Sequence, residues 1–305
     1  MLKHFIALKK YSRQEIISLL SLTHRVKKTP YRYAKKLTGK RIGLLFQKPS
    51  LRTKASFYLG STMLGATPLY FSPQEVQIGK RESVRDVART ISRYFDCIVL
   101  RTFEHQTITD FIEHSQVPVV NALSQLLHPS QVLGDIFTLD ELKKDIKKMK
   151  FAYMGDGNNV CHSLLYAFAI LGGHIWIAHP KHYAPDKKIV SEVQAIARKN
   201  KATIHIGNDP RVASRGADVL YTDVWTSMGN EDERAKRVKI FQPFQLNEKL
   251  LGLAKKNCII MHCLPAHRGE EITDKVIDSK HSRVFLQAEN RLHTAKAILL
   301  SLLSK

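Results

Sequence analysis

Residues that could bind a phosphate follow the first strongly apolar run of the chain. The run Ile42–Phe46 is typical of a buried strand, and a helical period begins a few residues after it. Between the two lie Ser50, Leu51, Arg52 and Thr53. The N–H groups at a helix N-terminus have no partner inside the helix, and hydroxyl and guanidinium groups add further donors. The segment therefore predicts an anion site, although a serine cap followed by solvated charges would have the same sequence.

Other polar residues follow two later strand-like runs. Arg101 comes directly after Ile98–Leu100, and His128 and Gln131 lie shortly after Val117–Val120. Ligands of parallel sheets bind beyond the carboxyl ends of the strands, so these side chains could converge on one ligand. Arginine offers paired hydrogen bonds to phosphate oxygens, and histidine can donate to a developing oxyanion. Each residue alone is a weak signal, but together with the anion segment they predict a site for a phosphate and a carbonyl.

A different kind of site is indicated after the strand-like run Val219–Tyr221. Asp223, Ser227 and Met228 follow this run beside a tryptophan. A carboxylate can hold an ammonium group, while a serine and exposed amides can hold a carboxylate. The segment therefore suits the zwitterion of an amino acid.

The glycine-containing segment Gly155–Val160 lies between a strand-like run and a helical period, where a dinucleotide could bind. Val160 stands where the third small residue of the dinucleotide fingerprint would be, and the spacing has drifted. We therefore predict that no dinucleotide binds here.

Metal-ligand residue types occur close together in the segment from His262 and Cys263 to His267. However, no second ligand pair has comparable spacing, and adjacent residues on a strand point to opposite faces. We therefore predict no metal. The Cys263 thiol could instead line a substrate pocket or act as a nucleophile, although the sequence reveals no paired base.

The elements that must position these residues alternate along the chain between strand-like runs and helical periods. This order predicts the α/β fold class, with two doubly wound parallel-sheet domains and a cleft between them. The ten strand-like runs are Ile42–Phe46, Pro68–Phe71, Ile98–Leu100, Val117–Val120, Phe151–Met154, Ile175–Ala178, Thr203–Ile206, Val219–Tyr221, Ile259–Cys263 and Arg283–Leu286. The predicted helices include one opened by a capping box at Ser12–Glu15, then Glu82–Phe95, Ser130–Lys148, Asn158–Leu171, Asp186–Lys199 and Leu292–Leu303.

A lysine-rich amphipathic segment, Ile136–Met149, is predicted to form a long helix between the two groups of strands. The predicted domains are residues 1–140, which would bind the phosphate, and residues 141–289, which would bind the amino acid. The final helix, residues 290–305, could pack back on the first domain.

The formal net charge of +21 over 305 residues could indicate a nucleic-acid-binding protein. The lysines are scattered in short groups, and no finger, zipper or aromatic-basic signature occurs, so we predict a solvated basic surface and no nucleic-acid partner. No apolar stretch is long enough for a membrane span, and the N-terminus lacks the apolar core of a secretory signal. These features predict a cytoplasmic protein that does not bind membranes, with its four cysteines as free thiols.

Five segments, in order, resemble the aspartate/ornithine carbamoyltransferase family, and its ornithine-using members in particular. The first three segments resemble the family's phosphate loop, its mobile loop and its His-Pro-x-Gln element, and the last two carry the ornithine-specific signatures. They are Lys48–Lys54, Gln77–Ser83, His128–Gln131, Asp223–Gly229 and His262–Pro265. The resemblance spans almost the whole chain.

The resemblance implies transfer of the carbamoyl group from carbamoyl phosphate to the side-chain amine of L-ornithine, which gives L-citrulline and phosphate. The family's enzymes act in arginine metabolism, including arginine biosynthesis, and the sequence leaves the direction of the reaction open. The resemblance also implies a homotrimer or a multiple of it, and a reaction without a metal or an organic cofactor.

The resemblance assigns roles residue by residue, with Arg101, His128 and Cys263 as the catalytic residues. The residues implied for carbamoyl phosphate are Ser50, Leu51, Arg52, Thr53, Gln77 from the adjacent chain, Arg101, His128, Gln131, Cys263, Leu264 and Arg291. The residues implied for ornithine are Asn159, Asp223, Ser227 and Met228. Two departures from the family pattern are Lys54, where arginine is usual, and Gly134, where alanine is usual and no contact with the chemistry is expected.

Overall fold

The structure is a computed structural model that describes residues 4–226 and 231–304. The chain divides into two compact units, Met1–Phe137 with Glu289–Lys305, and Thr138–Ala288. Both passages of the chain from one unit to the other fall inside helices.

Among the described residues of the first unit, four strands form one parallel sheet. They are β1 (Arg41–Phe46), β2 (Thr67–Phe71), β3 (Cys97–Arg101) and β4 (Val119–Leu123). Their order in the sheet is β2-β1-β3-β4, so the chain leaves β1 on one side and returns to its other side at β3. Such a reversal opens a crevice beyond the carboxyl ends of the two strands. The register aligns Phe46 with Arg101, at the ends of β1 and β3.

Helices cover this sheet, and several begin with side-chain caps. The helix α1 begins with the predicted capping box, because Ser12 and Glu15 exchange hydrogen bonds. The helices are α1 (Arg13–Lys28), α2 (Leu51–Met63), α3 (Pro73–Val76), α4 (Val84–Tyr94), α5 (His105–His114) and α6 (Pro129–Glu141), with short 3-10 turns at Leu8–Lys10 and Pro30–Tyr33.

In the described part of the second unit, five strands form a second parallel sheet in the order β7-β6-β5-β8-β9. The strands are β5 (Lys150–Met154), β6 (His174–Ala178), β7 (Thr203–Gly207), β8 (Val219–Thr222) and β9 (Ile259–His262). The helices are α7 (Asn159–Leu171), α8 (Lys187–Asn200), α9 (Pro210–Ser214), α10 (Arg234–Phe241), α11 (Glu248–Leu253) and α12 (Asp274–Ile277), with 3-10 turns at Glu231–Glu233 and Gln242–Phe244. The last helix, α13 (Val284–Leu303), begins in this unit, and from Glu289 onward it belongs to the first unit. Here the order of the strands reverses between β5 and β8.

Each sheet is the core of its unit. All five residues of β3 and all four residues of β8 and of β9 are buried, which agrees with strands covered on both faces. The α/β class and the two parallel sheets are therefore confirmed, and nine of the ten predicted strand-like runs overlap strands among the described residues.

The tenth predicted strand, Arg283–Leu286, is wrong. Val284–Leu286 form the first turn of α13. A short apolar run fits a strand and a buried helical turn equally well, and the helical period that follows decides between them.

The predicted helix Ile136–Met149 is also wrong in its second half, because α6 ends at Glu141. Lys143 has φ of +55°, Lys143 N donates to Asp140 O at 2.9 Å, and Lys144 N donates to Leu139 O at 2.8 Å. This pair of hydrogen bonds is the Schellman arrangement that ends helices. A lysine occupies the left-handed position where glycine is usual, so the sequence did not indicate that the helix ends there.

No helix within the described residues is both long and apolar enough to cross a bilayer. The four cysteines are buried free thiols, as predicted.

Candidate active site

The first candidate residues lie at the N-terminus of α2, directly after β1. Ser50 is the N-cap of the helix, and its Oγ accepts a hydrogen bond from Thr53 N at 3.3 Å. Thr53 is buried, whereas Leu51 is 78% exposed, so Leu51 can serve an anion only through its backbone N–H. The predicted strand, loop and helix N-terminus are therefore present.

Arg101 is the last residue of β3 and is only 5% exposed. Its Nε has no hydrogen-bond partner among the described residues. Burial, followed by the charges of Arg291 and Arg52, lowers the pKa of Arg101 to about 9, which leaves it charged at neutral pH. A buried cation close to two other cations is costly unless an anion neutralises it. This arrangement is what a site for a multiply charged anion requires.

The helix α13 brings Arg291 to the same group. Arg291 is 3% exposed, and its guanidinium donates to Gln131 Oε1 and, at 3.2 Å, to Thr53 Oγ1. A Cβ placed on Gly134 would lie 3.0 Å from Cδ of Arg291. Gly134 therefore lies against a predicted site residue, which the sequence did not indicate.

His128 is buried at the start of α6, at 6% exposure. Burial, followed by the charges of Arg291 and Arg101, holds the pKa of His128 well below its ordinary value of 6.5. The imidazole is therefore neutral at physiological pH, and its Nδ1 lies 3.4 Å from Ser130 Oγ. A neutral ring can donate one hydrogen bond without adding a further positive charge. Together these residues are named the anion group: Ser50, Arg52, Thr53, Arg101, His128, Gln131 and Arg291.

Two lysines of the phosphate-loop motif contact aromatic rings. Lys48 is buried, with Nζ 4.4 Å from the centre of the Phe103 ring, and Lys54 is exposed, with Nζ 3.7 Å from the centre of the Tyr70 ring. Lys54 thus uses its charge in a cation–π contact, which does not need the planar fork of arginine.

Gln77 lies in the loop after α3. It is exposed, has φ of +23°, and donates from Nε2 to Gln74 O at 3.0 Å. Its side chain thus hydrogen-bonds to α3, the helix that precedes it. Gln47 holds the neighbouring part of this loop, because its Nε2 donates to Ile78 O at 3.0 Å.

In the second unit, Asp223 is the centre of a hydrogen-bonded group. Its Oδ1 accepts from the Cys263 thiol at 2.7 Å and from Val224 N at 2.8 Å, and its Oδ2 accepts from Asn158 Nδ2 at 2.7 Å. Asp223 is 7% exposed. We name Asn158, Asp223 and Cys263 the aspartate group.

The sheet register explains how these distant residues meet. Met154 pairs with Thr222, and Thr222 pairs with His262, so β5, β8 and β9 end side by side. The residues that follow each of these strands are thereby brought close together. Asn159, a further predicted residue, is the first residue of α7. The predicted residues Ser227 and Met228 lie outside the described residues.

His262 and Cys263 come together rather than pointing apart, because β9 ends at His262. One ligand-type atom from each of Asp223, His262 and Cys263 lies within 4.8 Å of the others. His262 Nδ1 accepts from Leu264 N at 2.8 Å, so the ring proton is on Nε2, which donates to Glu271 Oε1 at 3.0 Å. The thiol, carboxylate and imidazole of this trio are thus engaged in hydrogen bonds, which favours a hydrogen-bonded site over a metal centre.

Sequence reasoning missed an ion pair beside the aspartate group. Arg237 is 5% exposed and donates to Trp225 O and to Asp156 Oδ2. Burial, opposed by Arg237, raises the pKa of Asp156 to about 6. This ion pair supports the segment that follows Asp223. Arg237 lies in a run of several basic residues, so nothing in the sequence distinguished it.

Two family models match the chain. Residues 3–141 match the carbamoyl-P binding domain of aspartate/ornithine carbamoyltransferase, and residues 147–302 match its Asp/Orn binding domain. Together the two models match more than half of the chain.

Individual proteins agree with the family models. The chain is 45% identical to the ornithine carbamoyltransferase of Anoxybacillus flavithermus, over 99% of this chain and 96% of that protein. The solved structure of ornithine carbamoyltransferase from Pyrococcus furiosus is 43% identical and has a TM-score of 0.95, covering 99% of this chain and 97% of that one. The structure of anabolic ornithine carbamoyltransferase from Campylobacter jejuni is 40% identical, with a TM-score of 0.94 and 99% of both chains covered. The chain therefore belongs to the aspartate/ornithine carbamoyltransferase family, as its five motifs indicate.

Proposed function

We propose that this protein is an enzyme that transfers the carbamoyl group of carbamoyl phosphate to the side-chain amine of L-ornithine, giving L-citrulline and phosphate. The observation that carries the proposal is Arg101, a buried arginine whose Nε has no partner among the described residues and whose neighbours are Arg52 and Arg291. Such a concentration of positive charge suits a doubly charged phosphate group. The named relatives are ornithine carbamoyltransferases, which supports ornithine as the acceptor.

In this proposal the anion group binds carbamoyl phosphate. The hydroxyl of Ser50, the backbone N–H of Leu51 and the side chains of Arg52, Thr53 and Arg101 hold the phosphate. The carbamoyl end is held by the side chains of His128, Gln131 and Arg291 and by the main chain of Cys263 and Leu264.

The aspartate group serves the amino acid. Asp223 accepts from the α-ammonium of ornithine, and Asn159, Ser227 and Met228 complete the binding of its zwitterion. The Cys263 thiol lies beside the side-chain amine, which must be neutral to attack. No metal and no organic cofactor takes part in this assignment.

The chemical step forms a bond from the amine nitrogen to the carbonyl carbon and then breaks the bond from that carbon to the phosphate oxygen. Negative charge develops on the carbonyl oxygen, where Thr53, Arg101 and His128 can donate hydrogen bonds. A neutral His128 has one ring N–H, which can serve as such a donor. The phosphate leaves already neutralised by arginines, and holding both substrates in line supplies much of the remaining rate.

We also propose that the enzyme acts in the cytoplasm, as a homotrimer or a multiple of it, in arginine biosynthesis. The described relative from Campylobacter jejuni is named anabolic, which supports this direction. Gln77 would then reach carbamoyl phosphate bound to a neighbouring chain. Its exposed loop supports this role, because an exposed loop can cross an interface.

A steady-state assay tests the proposal with ornithine, N-acetylornithine and putrescine as alternative acceptors. We expect citrulline to form from ornithine with a kcat/KM at least about a hundredfold above that of either competitor, since both lack a charged group that the site binds. Equal use of N-acetylornithine would identify a different acceptor. Absence of carbamoyl transfer to all three amines would overturn the proposal. Saturation curves in both directions then decide between biosynthesis and breakdown.

A further inference from the structure

Three buried polar atoms lie in the loop that follows β9. They are Nδ1 of His267, Oε2 of Glu270 and Oε2 of Glu271, and none has a hydrogen-bond partner among the described residues. One ligand-type atom from each side chain lies within 4.8 Å of the other two, and His267 Nδ1 lies 3.6 Å from Glu270 Oε2. We name these three residues the His267 cluster.

The remaining oxygen of each carboxylate is already engaged, which fixes the orientation of the group. Glu271 Oε1 accepts from His262 Nε2 at 3.0 Å and from His267 N at 2.6 Å. Glu270 Oε1 accepts from the Arg234 guanidinium, including a hydrogen bond of 3.0 Å from Nε. Each carboxylate therefore presents its second oxygen in a defined direction.

Backbone hydrogen bonds hold the loop itself. Gly269 N donates to Ile272 O at 2.9 Å, and Leu246 N donates to Glu271 O at 2.8 Å. The Gln245 amide donates to Gly269 O at 2.9 Å and to the backbone oxygen of Glu270 at 2.8 Å. These hydrogen bonds restrain the loop that carries the cluster, and a preformed ligand set requires such restraint.

Burial makes this cluster different from an ordinary acidic surface. Glu271 is fully buried and the side chain of Glu270 is 17% exposed, so water does little to screen their mutual repulsion. A buried oxygen without a partner costs free energy that a cation would remove. The side chain of His267 is 38% exposed, which gives an ion a path to the cluster.

We propose that the His267 cluster binds a divalent transition-metal ion of the Zn²⁺ class. One imidazole nitrogen and two carboxylate oxygens are a common ligand set for such ions, with water in the fourth position. Ligand atoms about 2.1 Å from a tetrahedral ion lie about 3.4 Å apart. The separation of 3.6 Å between His267 Nδ1 and Glu270 Oε2 is close to that value.

The ion is accessory to the proposed reaction. Its role is to tie together the loop after β9, because the ligands all come from this loop. The Glu271 carboxylate also accepts a hydrogen bond from His262 Nε2. An ion bound to Glu271 would therefore also help to orient His262, the residue next to Cys263.

The test uses the full-length protein after dialysis against a chelator, with Co²⁺ and Zn²⁺ as probes. We expect one Co²⁺ per chain with visible d–d absorption but no near-ultraviolet thiolate charge-transfer band, since the ligands are nitrogen and oxygen. Zn²⁺ should displace it. Glu270→Gln and His267→Gln should each weaken binding at least about tenfold. Circular dichroism shows whether each variant remains folded.

The matched control is Glu113→Gln, a change at an exposed glutamate of the first unit that should leave binding unchanged. A thiolate band would assign the ion to Cys263 and overturn the proposal. The same conclusion follows if folded wild-type protein binds no Co²⁺, or if both cluster variants bind it as tightly as wild type. None of these measurements depends on carbamoyl transfer, so a result that overturns the metal site would not contradict the proposed function.

Discussion

The Cys263 thiol donates to Oδ1 of Asp223 over 2.7 Å, although 40 residues separate the two in sequence. Asn158 holds the other oxygen of the same carboxylate. The carboxylate is thus fixed from both sides before any amino acid arrives. Its charge makes it the natural partner of an ammonium group, and removing that charge leaves the size of the side chain unchanged.

Asp223→Asn should therefore raise the KM for ornithine and lower kcat, with little effect on binding of carbamoyl phosphate. Loss of a charged hydrogen bond of this kind costs about 2–3 kcal/mol, or roughly 30- to 150-fold in kcat/KM for ornithine. Steady-state kinetics with each substrate varied in turn measure the two effects separately. Asp232→Asn, at an exposed position, serves as the control. An equal loss for both substrates would contradict the role given to Asp223.

Arg101→Ala should abolish turnover and leave the fold intact. Removal of one donor to the developing oxyanion costs about 3–4 kcal/mol of barrier stabilisation, or roughly a hundred- to a thousandfold in kcat. The thermal midpoint of the ligand-free protein should stay equal or rise, because a buried charge close to Arg291 and Arg52 is removed. Activity assays and thermal melts compare this variant with Arg89→Ala at an exposed position. A variant that unfolds, or keeps a near-normal rate, would count against the assignment.

The Asp156 carboxyl should make the unfolding free energy depend on pH. Burial raises its folded-state pKa to about 6 from an ordinary 3.8 despite Arg237, so the folded protein holds this proton more tightly than the unfolded chain. The stabilisation from this group is complete below about pH 4 and is lost as pH rises through about 6. The unfolding free energy of wild type relative to Asp156→Asn should thus fall by at most about 3 kcal/mol over this window.

Urea unfolding at fixed ionic strength and protein concentration, from pH 4 to 7, measures this difference. A wild-type protein that gains stability relative to Asp156→Asn as the pH rises would show that the ion pair with Arg237 outweighs burial.

If Gln77 of a neighbouring chain completes the site, a mixture of two inactive variants should regain activity. Gln77→Ala and Arg101→Ala should each be inactive, because each removes a ligand of carbamoyl phosphate. After joint unfolding and refolding, some sites combine Arg101 of a Gln77→Ala chain with Gln77 of an Arg101→Ala chain. Carbamoyl transfer should reappear in the mixture. If labelled chains demonstrably exchange and the mixture remains as inactive as its parents, Gln77 acts within its own chain or has no role.

Sequence periodicity predicted both sheets, because buried parallel strands are short apolar runs between helical periods. Because ligands bind beyond the carboxyl ends of parallel strands, the positions of Arg101, His128 and Asp223 at or after strand ends made them candidate site residues. Periodicity failed where two structures fit one pattern, as at Arg283–Leu286, and where a lysine took the left-handed position that ends α6.

The residues that sequence reasoning missed share a different property, since their importance comes from burial and not from residue type. Arg237 and Glu271 have many exposed counterparts of the same type in this chain, and only their three-dimensional surroundings distinguish them. Gly134 is another case, because its contact with Arg291 joins helices that are far apart in sequence.

The hydrogen bond from Arg291 to Thr53 spans 238 residues of sequence. A ribosome that adds about 5–20 residues per second needs on the order of tens of seconds to travel that far. The sheet of the first unit can form during this time, but the anion group lacks Arg291 until α13 emerges. A nascent chain thus carries most of a folded first unit while its anion group is still incomplete, and that group is finished only after α13 has been synthesised.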